Sequence, residues 1–259
     1  MHDISENAFK RSLSLNDFQL GLWSSMASPA AAEILAFADA DWILLDCEHS
    51  PNDLKDVVHL LRAVTGGRAS PVVRPPWNDA IWIKRLLDVG VQSFLVPFVE
   101  TAEECEAVVK AVRYPPHGVR GVSVAHRANR YGRIKNYLAS AQDEICVVVQ
   151  IESQKSIDNL DNILGVEGLD GVFVGPSDLA ANLGHLGNPQ HPDVQRAIAD
   201  ICSRARHKGI PAGILAGNAD STVSYREMGF TFIAAGADIG LLRQGVDALC
   251  DTVRSGVRS

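Results

Sequence analysis

Residues 145–152 read ICVVVQIE and residues 171–178 read GVFVGPSD. Each opens on a β-branched and aliphatic run that is too short for a helix and so reads as a buried strand. Each then ends in groups that can do chemistry, Gln150 and Glu152 in the first and Gly175-Pro176-Ser177-Asp178 in the second. Upstream, Trp42-Ile43-Leu44-Leu45 leads in the same way into Asp46-Cys47-Glu48-His49. Polar chemistry begins where each strand stops, so carboxylates, an imidazole and an amide collect at strand ends. That is the layout of an oxygen-ligated metal enzyme.

Working outward, the chain offers eight strand candidates: Gln19 to Trp23, Trp42 to Leu45, Pro71 to Arg74, Ser93 to Val96, Ile145 to Ile151, Gly171 to Val174, Pro211 to Leu215 and Thr231 to Ala235. Helical patterns alternate with them. Asp53 to Val64 carries Leu54, Val57, Val58 and Leu61 on one face, and Cys105, Val108, Val109 and Val112 repeat that spacing. Ser28-Pro29 is a helix cap followed by proline at the first helical position. Gly66, Gly90, Gly209 and Gly229 stand where a left-handed residue would end a helix before the next strand. Eight strands alternating with helices over about 250 residues predict a (β/α)8 TIM barrel, with an open doubly wound sheet as the alternative.

Composition agrees with one large α/β domain over residues 1–259, at 46% hydrophobic and 21% charged residues. A net charge of −7 offers no basic field for nucleic acid or an anionic membrane, which favours a small-molecule partner. No apolar run has the length of a membrane span, and residues 1–10 lack the apolar core of a signal peptide, which predicts a cytoplasmic protein. The five cysteines form no CxxC pair, and their odd number suits a reducing compartment. Cys105, Cys146, Cys202 and Cys250 fall in apolar patterns and read as core residues; Cys47 stands beside the proposed site and reads as packing.

Barrels of this kind hold their chemistry at the C-terminal ends of the strands, and Trp23, Glu48, His49, Arg74, Gln150, Glu152 and Asp178 all fall there. Glu152 and Asp178, on neighbouring strands, can reach one ion, and two carboxylates favour a hard cation such as Mg²⁺ or Mn²⁺. Solvated or salt-bridged loop acids are the competing reading. Arg74 ends an apolar strand and suits a substrate carboxylate or enolate oxygen, or else a rim ion pair with Glu48. His49 is the candidate general base, against a purely structural histidine. Lys84 and Lys155 lie inside helical patterns, which argues against a Schiff-base route. The long segment Tyr114 to Ser140, with its basic-aromatic run Arg127 to Arg133, predicts a lid or a subunit contact.

Seven strings in order carry a resemblance: Gly21-Leu22-Trp23, Asp46-x-Glu48-His49-x-Pro51-Asn52, Val73-Arg74-Pro75-x-Trp77-Asn78-Asp79, Leu86-Leu87-Asp88-Val89-Gly90, Tyr114-Pro115-Pro116-x-Gly118-x-Arg120-Gly121, Gln150-x-Glu152 and Gly175-Pro176-Ser177-Asp178-Leu179. Together they resemble the metal-dependent pyruvate aldolases typified by 4-hydroxy-2-oxoheptane-1,7-dioate aldolase and 2-dehydro-3-deoxyglucarate aldolase. The resemblance implies a class II aldolase on a barrel of the phosphoenolpyruvate/pyruvate-domain type. It would cleave a 4-hydroxy-2-oxo acid to pyruvate, or a related 2-oxo acid, and an aldehyde, using Mg²⁺, Mn²⁺ or Co²⁺.

By that resemblance His49 matches the proton acceptor, Arg74 the transition-state stabiliser, and Glu152 and Asp178 the metal ligands. Gln150, the backbone at Ser177, and Asp178 match substrate contacts, and Trp23 and Leu215 fall on the aldehyde side. Asp88 matches an acid that raises the basicity of the histidine, yet barrel topology puts it at the far end of a helix. An irregular helix or a neighbouring subunit would have to bring the two together, or the correspondence fails there. The resemblance further implies a hexamer with the C-terminal helix, Gly240 to Val253, exchanged between subunits; core packing explains that helix's apolar face equally well. Cys47 replaces the family's usual glycine, and Val122 to Arg133 departs from the family pattern. Two alternatives stay open: a metal-dependent lyase acting on an acyl-CoA thioester, and a catalytically silent metal-binding barrel subunit.

Overall fold

The computed structural model describes residues 4–257. Eight parallel strands, β1 (Gln19–Ser24), β2 (Trp42–Asp46), β3 (Ser70–Arg74), β4 (Ser93–Val96), β5 (Cys146–Ile151), β6 (Gly171–Val174), β7 (Ala212–Leu215) and β8 (Phe232–Ala237), pair in sequence order. β8 returns to β1, so the sheet closes as a (β/α)8 TIM barrel. The helices are α1 (Ala8–Ser14), α2 (Pro29–Ala36), α3 (Leu54–Ala63), α4 (Ala80–Val89), α5 (Ala102–Val112), α6 (Tyr137–Ser140), α7 (Gln154–Asp158), α8 (Leu160–Ile163), α9 (Pro176–Asn182), α10 (Pro192–His207), α11 (Ala219–Met228) and α12 (Asp238–Val257). All eight expected strands form within two residues of their expected ends.

Local chemistry sets the boundaries. Ser28 caps α2 by accepting the Ala31 N–H, and Asp53 and Asp56 form a reciprocal capping box on α3. Gly90 and Gly229 end α4 and α11 at φ 104° and 117°, a region that glycine enters without a Cβ penalty.

Two apolar layers follow from strand alternation. Ile43, Leu45, Val73, Val147, Val149 and Val172 face outward under the helices. Trp42, Leu44, Val72, Val148, Phe173 and Phe232 fill the interior, where large rings fit only because small residues oppose them. A Cβ at Gly21 would lie 2.1 Å from the Trp42 ring, and one at Gly213 would lie 2.3 Å from the Phe232 ring.

Four features depart from the expectations. Residues 8–14 form a helix, α1, whose Phe9 and Leu13 plug the N-terminal end of the barrel against Trp42 and Phe232. The segment 113–145 connects the end of α5 to the start of β5, so it lies on the N-terminal face and cannot be a lid over its own barrel's strand ends. α12 turns its apolar face, with Leu241, Leu242, Val246, Leu249 and Val253, to the exterior, so core packing does not explain that face. Cys250 rides on that helix and is exposed, whereas Cys47, Cys105, Cys146 and Cys202 are buried.

Candidate active site

The parity of each strand decides which strand-end groups enter the barrel mouth. Leu44, Val72 and Val148 point inward, so the residues two steps on, Asp46, Arg74 and Gln150, point inward as well, and Glu152 follows after two more. All four are buried. Cys47 has the opposite parity and joins the outer layer, where burial pushes its thiol up to about 12, so it is a packing residue and not a thiolate.

Asp46 and Arg74 are register partners on β2 and β3. Arg74 Nε and Nη2 donate to the two Asp46 oxygens at 2.9 and 2.8 Å, a bidentate fork. Its Nη1 lies 2.7 Å from Glu48 Oε2 and 3.4 Å from Gln150 Oε1. The guanidinium carbon stands 4.8 Å from the Trp23 ring centroid, and the Trp23 indole N–H donates to Asp46 at 3.2 Å. Asp46 also accepts the Glu48 N–H at 3.0 Å and the His49 N–H at 3.4 Å.

One carboxylate thus holds the arginine, the indole and the loop carrying His49. Burial raises the Asp46 pKa, but Arg74 and these N–H donors outweigh it and hold the carboxyl below its usual value. Glu48 goes the other way: burial, with the charges of Asp46 and Asp178, outweighs Arg74 and His49 and holds it above the usual value.

Glu152 is 1% exposed. Its Oε1 accepts the Phe98 N–H at 2.9 Å, and its Oε2 accepts the Gln150 side-chain amide at 2.8 Å. Phe98 presents that N–H from a left-handed conformation, φ 48°, with its ring stacked on Trp77 at 5.5 Å. A Cβ on Gly175 would lie 2.4 Å from Glu152 Oε2, so the start of α9 closes tightly on this carboxylate. Asp178 stands half-buried in the first turn of α9. Burial first, and then the charges of Asp178 and Glu48, push Glu152 up to about 8.

Glu48, Glu152 and Asp178 therefore crowd one another while Arg74 is committed to Asp46 and Glu48. A divalent cation between Glu152 and Asp178 would relieve that crowding, and the oxygen donors fit a hard ion. The one cluster of three close metal-capable groups among the described residues, His185, His191 and Asp193, lies elsewhere. There His191 Nδ1 accepts the Asp193 N–H as the cap of α10, His185 Nε2 lies 3.2 Å from one Asp193 oxygen, and Arg196 holds the other.

The remaining expected residues separate into near and far. His49 is exposed at the mouth, its Nε2 3.9 Å from Glu48 Oε1. Trp23 is buried against Arg74 and Phe173, and Leu215 packs beside the interior cluster. Ser177 is exposed in the first turn of α9, whose ladder begins only at Leu179 N–H to Gly175 O, 3.0 Å.

Asp88 is far. α4 is regular up to Gly90, so Asp88 sits on the N-terminal face, 3.4 Å from Arg120 Nη2 and 3.9 Å from His126 Nε2. Within one chain it does not meet His49. Lys155 bonds Glu100 on the exterior and Lys84 lies along α4 beside Gly121, so neither supports imine chemistry. Sequence reasoning assigned no role to Asp46, Phe98 or Gly175. Parity could have found Asp46, two steps beyond Leu44; nothing local marks the other two.

Residues 19–245, the barrel with its strand-end cluster, match the HpcH/HpaI aldolase/citrate lyase family. The chain belongs to this family. As an HpcH/HpaI protein it is a carbon–carbon lyase of the aldolase type. It is 49% identical over 253 residues, 98% of this chain and 99% of the relative, to the 5-keto-4-deoxy-D-glucarate aldolase of Escherichia coli (strain K12 / DH10B). Among solved HpcH/HpaI structures, one from Burkholderia cenocepacia J2315 superposes with a TM-score of 0.93 at 38% identity, covering 96% of this chain and 99% of that one. The citrate synthase SbnG superposes with a TM-score of 0.87 at 25% identity, covering 98% and 100%.

Proposed function

We propose that this protein is a class II aldolase that cleaves a 4-hydroxy-2-oxo diacid to pyruvate and an aldehyde acid, with the substrate named for its relative, 5-keto-4-deoxy-D-glucarate, as first candidate. Counted from its keto-acid end, that compound carries the 2-oxo group, a methylene at C3 and a hydroxyl at C4. Breaking the C3–C4 bond yields pyruvate and a three-carbon aldehyde acid. The observation that carries the reading is the buried Glu152, held by Phe98 and Gln150 beside Asp178 and Arg74.

Glu152 and Asp178 would hold a divalent ion, Mg²⁺, Mn²⁺ or Co²⁺, on which the family depends; when bound it would supply Lewis-acid stabilisation of negative charge on the 2-oxo oxygen. Arg74, fixed by Asp46, adds positive charge beside that oxygen. Gln150, tied to both Arg74 and Glu152, and the free amides at Ser177 and Asp178 orient the keto-acid end. His49, at the exposed edge of the mouth, takes the proton of the C4 hydroxyl as the carbonyl of the aldehyde forms. The substrate carbon released at C3 takes up a proton to become the pyruvate methyl. Trp23 and Leu215 border the aldehyde side.

The exposed apolar face of a 20-residue helix, α12, supports oligomerisation, and we assign a hexamer with α12 exchanged between subunits. A monomer by light scattering at micromolar concentration refutes this. Asp88 can serve a His49 only across such an interface, from a neighbouring copy. We further read residues 1–259 as one domain and the protein as cytoplasmic; free cysteines support the latter, and no helix of the described residues is long and apolar enough to cross a membrane.

The test is lactate-dehydrogenase-coupled pyruvate release from a panel of 4-hydroxy-2-oxo acids. The panel is run with chelated enzyme and again after Mg²⁺ or Mn²⁺ is restored. Release that requires metal supports the reading. Release indifferent to chelation, or none with any metal, overturns it.

A further inference from the structure

Trp77 has no part in the chemistry proposed above, yet it is a large ring left 54% exposed at the catalytic end of the barrel, in the loop that follows β3. The chain holds it there firmly. Pro75-Pro76 stiffens the step out of β3, and the Trp77 carbonyl accepts the Asp79 N–H at 2.9 Å. Asp79 in turn caps α4, accepting the Ile81 and Trp82 N–H groups at 2.8 and 2.9 Å. An indole so exposed gains little from burial, so its fixed placement is explained by what it touches. It stacks on the Phe98 ring, with 5.5 Å between centroids and 28° between planes.

Phe98 belongs to the site through its backbone. β4 ends at Val96, and Pro97 has no N–H with which to extend the ladder, so the next donor in the chain is that of Phe98. Phe98 stands between the buried Pro97 and Val99 in a left-handed conformation, φ 48°, that a bulky side chain rarely enters. From there its N–H reaches Glu152 Oε1 at 2.9 Å, while Gln150 holds Oε2 at 2.8 Å. The carboxylate is thus oriented from both sides. One of the two holds depends on an unfavourable backbone, and a ring stacked on a fixed partner restricts where that backbone can lie.

We propose that Trp77 is a positioning residue for Glu152: by stacking on Phe98 it keeps the Phe98 N–H on Oε1, and so raises the affinity of the mouth for a divalent cation without touching ion or substrate. The inference rests on the reading that Glu152 is a metal ligand. Partners of a ligating carboxylate change metal affinity by about 10–100-fold, and Trp77, one contact further out, takes the lower figure.

Isothermal titration of the full-length, chelator-treated protein with Mn²⁺ tests the proposal. Trp77→Ala should weaken binding about tenfold. Trp77→Phe, which keeps a ring against Phe98, should stay within about threefold of wild type. Phe98→Gly removes the ring but enters a left-handed backbone without a Cβ penalty. In that background Trp77→Ala should therefore change affinity by less than about twofold. Unchanged affinity in Trp77→Ala, an equal loss in both backgrounds, or a loss in Trp77→Phe as large as that in Trp77→Ala overturns the proposal. Glu152→Gln separates this inference from the reading beneath it. If Glu152→Gln binds Mn²⁺ as wild type does, the metal reading is wrong and the inference falls with it. If Glu152→Gln loses the ion while Trp77→Ala keeps it at wild-type affinity, the metal reading stands and this inference alone fails.

Discussion

Replacing Asp46 by asparagine tests the proposed architecture most directly, because one carboxylate of unchanged volume holds the arginine, the indole and the histidine loop. The carboxamide would offer one oxygen and one nitrogen to the two Arg74 donors now at 2.9 and 2.8 Å, so one of them must face another donor. Breaking a buried ion pair from one side costs about 3–5 kcal/mol. Glu48, 2.7 Å from Arg74, keeps part of the compensation, which puts the cost at the low end, about 3 kcal/mol.

For a chain of this size that is a fall in Tm of roughly 6–12 °C. Turnover falls by about 10²–10³, the usual loss when a donor to developing negative charge is misplaced. Asp46 is held below its unfolded pKa, so its contribution is present above about pH 4 and lost as pH falls through its folded value. The stability gap between wild type and Asp46→Asn is thus constant near neutrality and closes in acid. Coupled pyruvate release and thermal unfolding across pH read all three. Turnover within about threefold of wild type, with a gap that does not narrow in acid, refutes the reasoning.

Two further outcomes follow from contacts around the site. Gly175→Ala has a permitted backbone, φ −95°, but places a Cβ 2.4 Å from Glu152 Oε2, so Mn²⁺ affinity by titration drops about 10–100-fold while the fold is retained; unchanged affinity would show that the carboxylate is not gripped there. Cys47, with its thiol near 12 and its side chain in the outer core, takes no part in the chemistry. Cys47→Ala should keep turnover within about threefold, and alkylation of Cys47 in the folded protein at pH 8, read by mass spectrometry, would contradict the assignment.

How much was legible depended on whether a feature is local. Strands and caps are: β2 and β6 announce themselves as short apolar runs, and Asp53 and Gly90 mark helix ends through chemistry within four residues. Glu152, Asp178, Arg74 and His49 could be singled out because strand ends concentrate function in this fold. Asp46 sits in the same string and went unassigned, although strand parity places it inward. The Phe98 N–H could not be read at all, because its role rests on a left-handed residue brought to Glu152 across two strands. The α1 plug was missed because seven residues with two apolar side chains carry little periodicity. Asp88 shows the reverse case, a role implied by resemblance that a single chain's geometry places on the wrong face, beside Arg120 and His126.

The charges around Glu152 set function against stability, and that opposition can be measured. Without metal, a carboxyl that ionises near 4.5 when unfolded is held protonated to about 8 when folded. Folding then takes up a proton, and stability falls as pH rises between those values. At pH 7 the penalty is roughly 3–3.5 kcal/mol, from about 1.4 kcal/mol per pH unit above 4.5. Glu152→Gln removes it, so relative to wild type the chelated variant should gain stability steadily from about pH 4.5 up to pH 8. The amide must present an NH₂ to either Phe98 N–H or Gln150, which trims the gain by about 1 kcal/mol. At pH 7 adding Mg²⁺ reverses the order. Wild type gains about 2.7 kcal/mol at a hundredfold excess over Kd, while the variant gains nothing and releases no pyruvate. A chelated Glu152→Gln protein less stable than wild type at pH 8 would mean that Glu152 is a satisfied structural acid, and the metal assignment would fall with it.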